Sequence, residues 1–256
     1  MGGELVLSTA TLLGFLLTLV RVSGVFVFVP IPGMSSVANP TRIMLVLSVT
    51  VALFGQWPQI AATPSVGLFT MWFMIEAALG IGVGLAVAFV AESFAVGAQV
   101  MGLQAGYAFA STIDPNTQAD SSVLVIFSQI AAGLLFFATG LYRDVLHILS
   151  RSLETYPAGS FVLTRGAATQ MLAMGSTMFS TGLRLAMPMV AVLVMVDISL
   201  ALLGRVNAQL QLLHIAFPVK MLVGLAMLGW LALLFPVLYR ASSGATFAVA
   251  RRLISH

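Results

Sequence analysis

Residues 67–100 read GLFTMWFMIEAALGIGVGLAVAFVAESFAVGAQV, an apolar run whose only charges are Glu76 and Glu92. About 20 such residues of helix cross a hydrocarbon core about 30 Å thick. The run exceeds that length, contains no proline and is punctuated by small residues, so it predicts one long helix packed closely against another. Gly80 and Gly84 stand four apart on one helix face, a spacing that lets a second backbone approach. Gly80-Ile81-Gly82-Val83-Gly84 superficially resembles a phosphate-binding loop. It lies inside the apolar run and lacks a P-loop lysine, so helix packing is the better reading.

The composition extends this pattern to the whole chain. Of 256 residues, 60% are hydrophobic and 7% charged, and the mean hydropathy is +1.07. Soluble domains carry about 25% charged residues, so a soluble globule is excluded and lipid must cover part of the surface. The reading is all-α: a polytopic helical membrane protein. Eleven Lys and Arg against eight Asp and Glu give a net charge of +3, but the basic residues are scattered. A clustered basic face for nucleic acid is lacking. The chain has no Cys, which excludes disulfides, thiolate metal sites and a Cys nucleophile.

Residues 5–29 are apolar except for Arg21 and end at Pro30-Ile31-Pro32-Gly33, followed by the polar Ser35-Ser36-Val37-Ala38-Asn39-Pro40. Met1-Gly2-Gly3-Glu4 offers no basic n-region, so the first apolar segment is expected to be retained. Residues 42–54 resume the pattern, short for a span, and stop near Gly55-Gln56-Trp57-Pro58, where Trp57 reads as an interfacial anchor. Residues 123–141 carry no charge. Arg143, Asp144, His147, Arg151 and Glu154 follow at helical spacing up to Tyr156-Pro157-Ala158-Gly159. Residues 166–203, interrupted by Arg184, Pro188 and Asp197, read as one kinked helix or two short ones. After a second polar break at 205–211, residues 217–238 form the last apolar segment, with Pro218 near its start and Pro236 near its end. About six hydrophobic segments result, in a single domain over residues 1–256. Arg240, Arg251 and Arg252 favour a cytoplasmic C-terminus by the positive-inside bias.

Catalytic inventories fail. His147, His214 and His256 are isolated, no HExxH places two ligands on one helix face, and no Ser lies in a G-x-S-x-G elbow. No enzyme activity, metal or cofactor is expected. Glu76, Glu92 and Asp197 lie in apolar runs, where an ionisable group suggests an ion path. The plainer reading pairs them with Arg21, Arg184 or a partner subunit, or brings them to the interface.

Residues 102–122, GLQAGYAFASTIDPNTQADSS, depart from the apolar pattern and read as a loop. Pro115 biases Asp114 away from helix. In hydrocarbon an irregular backbone strands its polar groups, so it is tolerated only when protein buries it or it lines a water-filled cavity. At membrane depth it therefore faces a pore or a partner, with Gly102 and Gly106 allowing bends and Tyr107, Phe109 and Ile113 supplying apolar bulk for a closure. Composition alone fits an ordinary extramembrane loop equally well.

The segment GLQAGYAFASTIDPNTQADSSVL (102–124) resembles the hallmark of the FliR family, flagellar biosynthetic proteins of the type III export gate. The resemblance extends to LVRVSGVFVFVPIPG (19–33), LRLAMPMVAVLVMVDISLALLGRV (183–206) and QLQLLHIAFPVKMLVGL (209–225), and covers residues 12–238. It departs at Ala208, where a Pro is usual, and at Asp197, where an Asn is usual. It implies a non-catalytic subunit of the bacterial inner membrane and flagellar basal body. FliP-like and FliQ-like subunits and an FlhB-like export switch protein would be its partners, with unfolded flagellar proteins as cargo and lipid around it. It implies that Gly102, Gln104, Gly106, Tyr107, Phe109, Asp114 and Pro115 belong to a channel plug, and that the hairpins need not cross the bilayer in the ordinary way. Arg21, Arg205 and Gln209 read as residues holding helices and loops through charge-assisted hydrogen bonds, beside the packing residues Gly80, Gly84 and Pro218. A virulence injectisome subunit and a proton-coupled secondary transporter are the alternatives.

Overall fold

The computed structural model describes residues 8–32, 40–60, 64–107, 123–161, 165–206 and 212–254. Every regular element among them is helical: α1 (Thr9–Phe28), α2 (Pro40–Ala52), a 3-10 turn (Phe54–Gln56), α3 (Val66–Ala105), α4 (Val123–Ala138), α5 (Leu141–Thr155), α6 (Arg165–Val206) and α7 (Leu212–Ile254). The all-α reading holds. Among the described residues four stretches are long and apolar enough to cross a membrane, Thr9–Phe28, Val66–Ala105, Ala168–Val206 and Ala216–Gly244, and a fifth arises if α4 and α5 count as one broken span. The six apolar segments expected each fall on a helix, α1, α2, α3, α4, α6 and α7, but not each is long enough to span alone. The 13 residues of α2 reach only about 20 Å at 1.5 Å per residue, and α5 is amphipathic.

Two element boundaries differ from those expected, and a third that had two readings is decided. Pro188 does not split its segment, and α6 runs unbroken for 42 residues. The run after residue 123 is instead broken before α5, where Gly140 takes φ +79°, a left-handed conformation that L-residues adopt at a cost. The first four residues of the polar break continue α3, because Leu103, Gln104 and Ala105 are good helix formers and nothing before Gly106 forbids the helix.

The chain divides into two compact units, Met1–Phe89 with Phe136–Met174 and Ser243–His256, and Val90–Leu135 with Gly175–Ser242. In the first, α1 lies against α3 through glycines. A Cβ on Gly80 would collide with the Arg21 carbonyl, and one on Gly84 would come within 2.9 Å of the carbonyls of Gly24 and Val25. Trp57 turns inward: its ring packs on Phe15, with centroids 5.1 Å apart, and its indole N–H donates to the Thr50 carbonyl at 2.9 Å. Its indole N–H is thus satisfied internally. The buried face of α5 is Leu141, Val145, Ile148, Leu149 and Ser152.

In the second unit the end of α3 packs on α6 and α7. Gly182 of α6 lies so close to the Ser93 carbonyl that a Cβ would stand 2.7 Å from it, and Gly97 faces the Gly182 carbonyl in return. Phe94 meets Phe235 edge-on at 5.3 Å and Tyr239 at 5.4 Å, among the buried Leu185, Met189, Leu193 and Leu231.

Candidate functional site

Helix α3 ends in a C-cap whose cause is legible residue by residue. Gly106 adopts φ +87° and donates its N–H to the Leu103 carbonyl at 3.2 Å, while Tyr107 N–H reaches back to the Gly102 carbonyl at 3.0 Å. This pair of bonds is the Schellman arrangement, which satisfies the last carbonyls of a helix and turns the chain away from its axis. Glycine is favoured there by its dihedral, and a Cβ would also stand tight against the Phe217 ring, at 3.2 Å.

The turn is held on α7. Tyr107 O–H donates to the Met221 carbonyl at 3.0 Å, and Gly224 lies under Ala105 and Tyr107. One turn earlier, Gln104 Nε2 donates to Asp197 Oδ2 at 3.2 Å, and Lys220 Nζ reaches the same carboxylate at 3.0 Å from Oδ1 and 3.1 Å from Oδ2. Three helices thus converge on one carboxylate. Asp197 pairs with neither Arg21 nor Arg184. Arg21 is committed to Glu76, and Arg184 is exposed 13 positions earlier on Asp197's own helix, about 20 Å away by the helical rise. Sequence reasoning missed Lys220, although a lone Lys in one apolar helix and a lone Asp in the preceding one were the available signal.

Of the residues expected in a plug, Gly102 and Gln104 are helical, and Gly106 and Tyr107 form the turn. Phe109, Asp114 and Pro115 lie outside the described residues, as does Gln209. Arg205 is exposed in the last turn of α6, and Pro218 is exposed within α7. Arg21 and Glu76 form a buried ion pair elsewhere, in the first unit. Glu92 is exposed and forms no ion pair with any described residue.

Among the described residues no group of three His, Cys, Asp or Glu could hold a metal. A hollow of about 660 Å³ in the first unit, bordered by Gln56, Trp57, Pro58, Trp72 and Pro157, has no titratable side chain in its lining.

Residues 12–245 match the model of the bacterial export proteins, family 1. The flagellar biosynthetic protein FliR of Escherichia coli (strain K12) is 28% identical over 211 residues, covering 82% of this chain and 80% of that protein. FliR of Pectobacterium carotovorum subsp. carotovorum is 28% identical over 218 residues, with 85% and 83% covered, and FliR of Bacillus subtilis (strain 168) is 25% identical over 220 residues, with 84% of each covered. A match along nearly the whole chain carries the four apolar helices and the α3 turn together, and the chain therefore belongs to family 1 of the bacterial export proteins, the FliR family.

Proposed function

We propose that this protein is an export-gate subunit of the flagellar type III secretion system, which helps form and close the channel through which unfolded flagellar proteins leave the cytoplasm. It works in the bacterial inner membrane at the flagellar basal body, assembled with FliP-like and FliQ-like subunits and in contact with an FlhB-like switch protein. Family membership and the flagellar names of its relatives support this reading over the injectisome. The observation that carries the closure is the capped end of α3. An apolar helix ends in a glycine turn held on α7 and hands over to the polar residues 108–122. The glycine turn at Gly106 and Tyr107 is non-helical backbone, which has to be sheltered from lipid by protein or by a water-filled conduit.

Deleting residues 107–113 tests this. The gate should still assemble with its partner subunits, and small ions should leak through it in a conductance measurement. An assembled but sealed gate would count against the plug.

A further inference from the structure

What keeps the end of α3 seated on α7 has a physical answer in three polar side chains, those of Gln104, Asp197 and Lys220. Asp197 and Lys220 both sit in stretches apolar enough to span a membrane, Ala168–Val206 and Ala216–Gly244. Lys220 is only 17% exposed and Asp197 41%. Charges so placed are costly unless paired, and here they face each other across the α6–α7 hairpin with the ammonium within 3.1 Å of both carboxylate oxygens. The pair stays satisfied whatever α3 does.

Gln104 differs in kind. It is neutral, it adds a third contact to a carboxylate that already has its counter-ion, and it sits in the last turn of α3. Losing that contact strands no charge. Two residues on, Gly106 turns the chain and Tyr107 is tied to Met221, the residue after Lys220. Gln104 is therefore the most cheaply released link between the last turn of α3 and the hairpin.

We propose that Asp197 and Lys220 are a fixed polar anchor in the α6–α7 hairpin, and that Gln104 is the releasable arm that holds the α3 turn, with Tyr107, against α7 while the gate is shut. In this role Gln104 acts through the α3 turn and is a positioning residue. The proposal rests on the closure reading above.

The test uses the full chain assembled with its partner subunits in proteoliposomes, scored for assembly and for ion leak. Gln104→Leu keeps the side chain's bulk and removes its donor. Assembly should be unchanged and the leak should rise roughly fivefold, the factor that one net hydrogen bond of about 1 kcal/mol represents. Asp197→Leu with Lys220→Leu replaces the ion pair by apolar side chains. This double variant should leak as Gln104→Leu does, and adding Gln104→Leu to it should change nothing further. The clasp is overturned by a sealed Gln104→Leu gate or by an increment from Gln104→Leu that is the same with and without the ion pair. The 107–113 deletion, run in parallel, separates the two ideas. If the deletion leaks and Gln104→Leu does not, only the clasp fails; if the deletion itself stays sealed, the closure reading fails and takes the clasp with it.

Discussion

Arg21 is the most heavily committed side chain of the first unit. Its Nε donates to Glu76, one terminal nitrogen donates to the Ser152 carbonyl at 2.7 Å and approaches its hydroxyl at 3.3 Å, and the other reaches the Tyr156 carbonyl at 3.0 Å. The second Glu76 oxygen accepts the Gly159 N–H at 3.2 Å. With 1% and 2% exposure, the pair is out of solvent and lipid, and its hydrogen bonds offset the desolvation. Arg21→Met would leave the Glu76 carboxylate buried without a counter-charge, and should cost about 3–5 kcal/mol of unfolding free energy in detergent. Arg21→Met with Glu76→Leu should recover most of that loss, because apolar replacement of a buried pair is often neutral. A double variant no more stable than the single one would show that the site needs the charges themselves.

Helix α3 is 40 residues long, about 60 Å along its path at 1.5 Å per residue, which is twice the hydrocarbon thickness. α6 and α7, at 42 and 43 residues, are longer still. At about 20 residues per crossing, each of these helices is about twice as long as one perpendicular span needs. Their glycines sort by what they touch. Gly80 meets the Arg21 backbone, so Gly80→Val must push α1 away and should cost about 1–3 kcal/mol, the range for overpacking. Gly229 of α7 has open space within 4 Å, and Gly229→Ala should be neutral or stabilise by up to about 1 kcal/mol through helix propensity. Thermal unfolding of the two variants in one detergent measures the contrast. Equal effects would mean that α1 and α3 do not pack as described.

At the scale of the molecule, burial is unevenly shared. The apolar windows of α1 and α3 are 44% and 50% buried, but those of α6 and α7 only 17% and 22%. Leu183, Met187, Val194 and Ile198 on α6, and Leu222, Trp230, Leu233 and Val237 on α7, stand exposed. Lipid covers such faces at little cost, and helices of other subunits do so when small residues allow close approach. The proposed function predicts that the protein comes out of gently solubilised membranes with other small membrane proteins, identified by mass spectrometry. Recovery alone or as a homo-oligomer would favour a self-sufficient transporter.

Hydropathy and turn chemistry are local, and what depends on them was readable along the chain: the helical membrane class, the closeness demanded at Gly80 and Gly84, and the break near Gly106, where a glycine follows the last good helix former. The exact end of α3 was read four residues early, since Gly102 is tolerated inside a helix while Gly106 takes a dihedral that helix forbids. Pairing was not local. Glu76 lies 55 residues from Arg21, and Asp197 chose Lys220 over Arg184. An apolar helix presents near-equivalent faces to lipid and protein alike, so only the packed fold selects which face meets which helix, and with it the partner of each buried charge.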